Sequence, residues 1–160
     1  MLNKENVFKR ILECLLVFLS VGTLYFMIEC IYKQRLSHWS MFLLAGTVGV
    51  IAMLLNDTFT YEMDFLLQIF ICTVTTTTLE YLVGITLNAD YSIWCYLDLP
   101  FNLHGQICLL FSCIWALLFM ILIPILDYVE WKIFKYNIDT PPYYKVFGKT
   151  LFKIKLNFRE

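Results

Sequence analysis

Four long apolar runs, each bounded by polar or aromatic residues, divide the chain: Ile11–Tyr32, Trp39–Asn56, Phe65–Leu87 and Ile107–Leu126. Each approaches or exceeds the roughly 20 residues with which a helix crosses the hydrocarbon of a bilayer. The pattern predicts an all-α fold, an integral membrane four-helix bundle. Its helices are expected over about 11–32, 39–56, 65–87 and 106–130, within a transmembrane domain 1–135. Between the third and fourth runs lies "NADYSIWCYLDLPFNLHG", rich in aromatic and polar residues and without Lys or Arg. Aromatic residues suit a membrane interface, and Pro100 stops a helix from running back through the stretch. An interfacial polar loop or short interfacial helix is expected there.

Residues 136–160 read as a basic amphipathic tail. Phe147, Leu151, Ile154 and Phe158 form a helical stripe, whereas Phe152, Ile154, Leu156 and Phe158 alternate with Lys153, Lys155, Asn157 and Arg159 as in a strand. Periodicity leaves both conformations open. In either, a basic amphipathic segment beside a membrane face invites contact with anionic lipid, with a solvated tail as the alternative.

Composition supports the membrane class. The chain is 60% hydrophobic and only 16% charged, against about 25% charged in typical soluble domains. The first run follows Lys4, Lys9 and Arg10 as a signal peptide would, but it is about twice a signal core in length, carries Glu13 and Glu29, and lacks a small-residue cleavage site, so a retained helix is expected. Net charge is −1 and names no partner, but its distribution orients the chain: of 12 Lys and Arg, three precede the first helix, two follow it, and seven lie beyond residue 130. With four spans the termini share a side, and the positive-inside rule places both in the cytoplasm of a plasma-membrane protein. The six cysteines show no C-x-x-C pair and no zinc-type spacing with His, so small apolar fillers are expected rather than a metal site or disulfide framework.

Candidate chemistry lies where polar groups enter lipid. Glu29 stands one turn before Lys33, a spacing that permits an ion pair. Glu13, nearer the cytoplasmic end, is expected to be structural. In the second helix, Ala45, Gly49 and Ala52 make a small-residue packing stripe. In the third, Thr73, Thr76, Thr77, Glu80 and Gly84 share one face. A charge at that depth costs several kcal/mol unless it is paired, protonated or facing water, so Glu80 is expected to face the bundle interior or a cavity. The fourth helix carries Gly105, Cys108, Ser112, Trp115 and Phe119 as its bundle face. The predicted polar cavity comprises Glu29, His38, Glu80, Asn102 and Gln106, with Asp98 and His104 as secondary candidates. Asn102 and Gln106 are expected to reach toward Glu80. No catalytic residue, metal or cofactor is assigned: G-x-S-x-G and H-E-x-x-H are absent, which leaves a membrane enzyme using His38 or His104 as base the weakest reading.

Several segments together resemble a known family. "IECIY", "SHWSMFLLAG", "TTLEYLVGITLN", "LPFNLHGQICLLFSCIW", "DYVEWKIF" and "PPYYKVF" occur in family order over about residues 22–148. The chain resembles the ABC-transporter permease family of small Firmicutes membrane proteins, ABC-transporter type IV. It departs at Trp94-Cys95-Tyr96-Leu97, where the family often reads Trp-Asp-Tyr-Ser. The resemblance implies a membrane component of a transporter with no fixed substrate. The chain holds no Walker A motif, so any ATPase comes from another subunit. A single four-helix chain is also expected to form a homo- or hetero-oligomer.

The expected function is a permease-like subunit with an outward-facing polar cavity for a small polar or cationic solute. The alternative is a structural or regulatory membrane scaffold that binds lipid or a partner membrane protein. Nucleic acid is not an expected partner.

Overall fold

The computed structural model describes residues 4–59, 61–134 and 141–154. Four helices follow one another in alternating direction: α1 (Lys4–Lys33), α2 (Trp39–Phe59), α3 (Phe65–Leu87) and α4 (Leu109–Lys132). All four are long and apolar enough to cross a membrane. The connections place residues 61–64 and the hairpin at 143–153 at one end of the bundle, the terminal end. Residues 34–38 and 88–108 lie at the other, the loop end.

α2 supplies much of the core through Met41, Leu44, Val48, Ala52 and Met53, all buried. By contrast α1, α3 and α4 leave Phe8, Leu24, Phe70, Leu117 and Ile121 more than 60% exposed. An apolar surface of that extent is tolerated when the solvent is hydrocarbon.

Close approach of α1 to α2 rests on glycine. A Cβ added to Gly46 would lie 2.8 Å from the Phe18 carbonyl oxygen, and one on Gly49 would lie 2.8 Å from the Val21 Cβ. The predicted stripe thus divides its work: Ala45 and Ala52 are buried, while Gly49 packs on α1. Along α3 the threonine hydroxyls bond back to the preceding turn, Thr73 to the Ile69 carbonyl and Thr76 to that of Cys72, both at 2.8 Å. This satisfies the hydroxyls within the helix itself. Thr77 instead donates across to Ser112 of α4 at 3.2 Å.

The segment between α3 and α4 contains a two-stranded antiparallel hairpin, β1 (Asn102–Leu103) with β2 (Ile107–Cys108). His104 and Gly105 both take positive φ, 52° and 63°, and the Gln106 N–H returns to the Leu103 carbonyl at 3.1 Å. Two left-handed residues in succession are what a type I′ turn requires. This corrects the expected start of the fourth helix. Gln106 lies in the turn, and α4 begins at Leu109, after Cys108 in extended conformation.

At the terminal end, β3 (Tyr143–Val146) pairs with β4 (Lys149–Lys153). Its turn residues Phe147 and Gly148 also have positive φ, 49° and 75°. Of the two conformations left open for the tail, the strand is the one adopted here. The expectations for 136–140 and 155–160, including Leu156 and Phe158, concern positions outside the described residues. The hairpin docks on protein: Tyr144 is fully buried, packs on Phe65 with centroids 4.8 Å apart and planes tilted by 56°, and donates to Asp127 of α4. Asp64 caps α3 by accepting from the Leu66 N–H at 2.9 Å, and also accepts from the Phe147 N–H at 2.6 Å. Glu62 accepts from both Tyr143 and Lys145.

Two outcomes follow from this packing. Gly46→Val drives a side chain into the Phe18 backbone, an overpacking that costs about 1–3 kcal/mol. A lowered unfolding midpoint in micelles checks it, and an unchanged midpoint refutes the glycine seam. The second concerns the hairpin. The hydrogen bonds from Lys145 and Tyr143 hold the Glu62 carboxylate below its ordinary range, and Glu62 raises the Lys145 ammonium above its own. A lowered carboxylate value stabilises the docked state at neutral pH, and that contribution is lost as pH falls through it. Glu62→Gln is therefore expected to speed proteolysis of residues 141–154 at neutral pH, with the difference from wild type vanishing on acidification.

Candidate functional site

At the loop end a cleft of about 390 Å³ is lined by Tyr25, Glu29, Glu80, Trp94, Tyr96 and Asp98, among others. α1 contributes Tyr25 and Glu29, α3 contributes Glu80, and the α3–α4 segment closes over them. Glu80 is 6% exposed. One of its oxygens accepts from the Tyr96 hydroxyl and the other from the Trp115 indole N–H, each at 3.1 Å. Both donors are neutral. Burial first, and the Glu80 charge second, hold the Tyr96 phenol far above its ordinary range, so it remains a donor. Glu29 accepts from the Tyr25 hydroxyl and from Ser37, at 3.3 and 3.2 Å, and is ion-paired with Lys33, which also lines the cleft. Tyr25 and Trp115 stack with centroids 5.1 Å apart and planes 25° apart. That stack is the physical link between the two carboxylates: one ring holds Glu29, the other Glu80.

The structure brings Glu29, Glu80 and the secondary candidate Asp98 to one cleft. It gives the other predicted residues different work. Gln106 does not bond to Glu80. Its amide exchanges hydrogen bonds with Asn88, donating to the Asn88 carbonyl and accepting from the Asn88 side chain, both at 2.9 Å. Asn88 ends α3 and is fully buried. It also accepts from the Ile93 N–H and donates to the Trp94 carbonyl, while the Trp94 indole donates to the Gln106 carbonyl. This network fixes the segment that carries Trp94 and Tyr96. Asn102 likewise turns back on its own loop, donating to the Leu99 carbonyl at 2.8 Å and accepting from the Gly105 N–H at 3.0 Å. His38 meets Ser40 at the start of α2, ring nitrogen to hydroxyl at 2.8 Å, beside Arg35 and Ser92 in a separate groove. His104 is exposed and meets the Tyr81 hydroxyl. Among the described residues no cluster of three or more His, Cys, Asp and Glu could hold a metal ion.

Sequence reasoning overlooked Tyr25, Tyr96 and Trp115, which touch the carboxylates, and Asn88, which organises the loop. It also overlooked a second polar cluster at the terminal end. Arg10 donates to Glu130 at 2.6 Å and to Glu13 at 3.0 Å, tying α1 to α4. Asn56 donates to Asp127 at 2.7 Å beside Tyr144. The signal was present: Asp127 and Glu130 follow directly on an apolar run, three residues apart and therefore on one helix face.

Four spanning helices with buried polar groups at both ends define a multi-pass membrane protein. The chain belongs to the ABC-transporter type IV family: the model of the family described as "Putative ABC-transporter type IV" matches residues 16–145. No curated protein and no solved structure matches it.

The loop network gives a direct test. Gln106→Ala leaves the buried Asn88 side chain and carbonyl short of partners, at about 1–3 kcal/mol for an unsatisfied buried group. The expected result is a lower unfolding midpoint together with faster exchange of the Trp94 indole proton. An unchanged midpoint removes the organising role of Gln106.

Proposed function

We propose that the chain is a permease-like subunit of a plasma-membrane transporter that binds a small organic cation in the loop-end cleft. By the charge distribution the termini are cytoplasmic and the cleft faces outward. ATP hydrolysis is the work of a separate subunit, and the chain assembles as an oligomer to complete a path. The observation that carries this reading is Glu80. A carboxylate at that depth is costly, and its donors are a phenol and an indole, which hold it in place without neutralising it. The same wall presents Glu29 and Asp98 with Tyr25, Trp94 and Tyr96. Carboxylates framed by aromatic faces are the chemistry that selects an ammonium group over a neutral or anionic solute.

The test is ligand-dependent stabilisation of the purified protein in nanodiscs with tetramethylammonium, compared with acetate and a neutral polyol. A ligand that binds only the native state raises its stability with concentration. Tetramethylammonium alone is expected to raise the unfolding midpoint, and Glu80→Gln should abolish most of that rise, a loss of ten-fold or more in affinity. The scaffold alternative makes the opposite forecast: Glu80→Gln lowers the midpoint and no cation shifts it in either protein. That result, together with absence of cation flux in vesicles, overturns the transport reading.

A further inference from the structure

A second concavity adjoins the cleft. It is an apolar groove of about 260 Å³ between α1, α2 and α4, lined by Leu24 and Ile28 of α1, Ala45 and Val48 of α2, and Leu118 and Ile121 of α4, among others. Tyr25 and Trp115 line it as well. Tyr25 therefore belongs to both concavities, and Trp115 reaches the cleft through its bond to Glu80. Both residues are divided in the same sense. Their polar atoms turn to Glu29 and Glu80, while their rings wall the groove. The groove lies within the spanning part of the helices, and its rim residues Leu24, Ile28 and Ile121 are 62%, 59% and 63% exposed. It is open to the hydrocarbon of the bilayer.

We propose that the two concavities form one site for a single-chain cationic amphiphile, an alkyl ammonium whose head occupies the carboxylate cleft and whose chain lies in the groove. The inference rests on the reading that the cleft takes a cation, and adds that the solute enters from the bilayer. Two features favour this occupant over another. Charge complementarity selects the head: Glu80 and Asp98 face the cleft beside the Glu29–Lys33 ion pair, so acidic groups outnumber the one cation in its lining. Shape selects the tail: the groove meets the cleft at the Tyr25–Trp115 stack, where a head-to-chain junction would rest against two aromatic faces. Hydrophobic transfer adds little, because the chain leaves one apolar medium for another. Selectivity must come from the head group and from the fit of the chain.

The experiment compares amphiphiles that partition equally into the membrane and differ in their heads. The full chain in nanodiscs is titrated with dodecyltrimethylammonium, dodecyl sulfate and dodecanol at matched mole fraction in the lipid, and with tetramethylammonium from water. Midpoint shift and quenching of tryptophan by a bromododecyl analogue of the cation are the readouts. Only the cationic amphiphile is expected to saturate, with at least ten-fold preference over the sulfate, and Glu80→Gln should remove that preference. Filling the groove by Leu118→Phe, at a part-exposed position that tolerates bulk, should weaken the dodecyl cation at least five-fold and leave tetramethylammonium unchanged. Ile121→Phe, at a more exposed position of the same wall, should do the same. Where both groove variants are silent and tetramethylammonium still binds, the amphiphile proposal is overturned and the cation reading stands. Where neither cation binds, both fall. Equal responses to all three dodecyl heads mean bulk partitioning, and also overturn the proposal.

Discussion

A carboxylate carried into hydrocarbon must bring its own hydrogen-bond donors, because no water is there to supply them. This requirement organises both ends of the bundle. At the terminal end it is met with charge and amide: Arg10 bridges Glu13 and Glu130, and Asn56 with Tyr144 holds Asp127. At the loop end the side-chain donors to Glu80 among the described residues are Tyr96 and Trp115, both neutral. The difference has a consequence. A guanidinium between two carboxylates is a closed arrangement whose disruption leaves uncompensated charge. A carboxylate held only by neutral donors has, when ionised, no compensating positive charge among those donors.

The loop between α3 and α4 exists to deliver one of those donors. Tyr96 is placed by a chain of constraints that begins outside the cleft. The Asn88 amide at the end of α3 binds the Trp94 and Ile93 backbone, Gln106 closes the other side, and the Tyr96 N–H bonds to the Gly105 carbonyl at 2.8 Å. Gly105 can serve there because its left-handed backbone completes the hairpin turn and a Cβ would meet Leu97 at 2.7 Å. Polar residues that look like ligands in a membrane sequence are in this case the framework that aims a tyrosine.

Much of the architecture was legible in the sequence because span length and hydropathy are properties of contiguous residues. Glu80 was legible for the same reason: a carboxylate deep in an apolar run needs an explanation wherever its partners lie. The Glu29–Lys33 pair was legible from i, i+4 spacing. The partners themselves were not. Trp115 is 35 residues from Glu80, and Arg10 is 120 from Glu130. In a chain with 18% aromatic residues, nothing local marks which ring carries a functional hydrogen bond. Gln106 was read as helical because it adjoins an apolar run. Its conformation is set instead by Asn88, 18 residues away, and by two consecutive left-handed residues that composition permits but does not announce. The tail was ambiguous because its phenylalanines satisfy both periods. The outcome was decided by the Phe147–Gly148 turn and by a buried place for Tyr144.

Of the four helices, α1 carries Tyr25 and Glu29 into the loop-end cleft and the stack that borders it. Along its length α1 lies against α2 through glycines at van der Waals limits, a contact that fixes distance without polar bonds. Its bridges to α4 are of another kind: the Arg10–Glu130 ion pair toward one end and the Tyr25–Trp115 stack toward the other. The stack joins two helices and two carboxylates at once. Separating α1 from α4 at that height withdraws Tyr25 from Glu29's side of the cleft and uncovers the Trp115 face beside Glu80. The Tyr25–Trp115 stack is thus the point where α1 and α4, the two carboxylates, the apolar groove and the polar cleft meet.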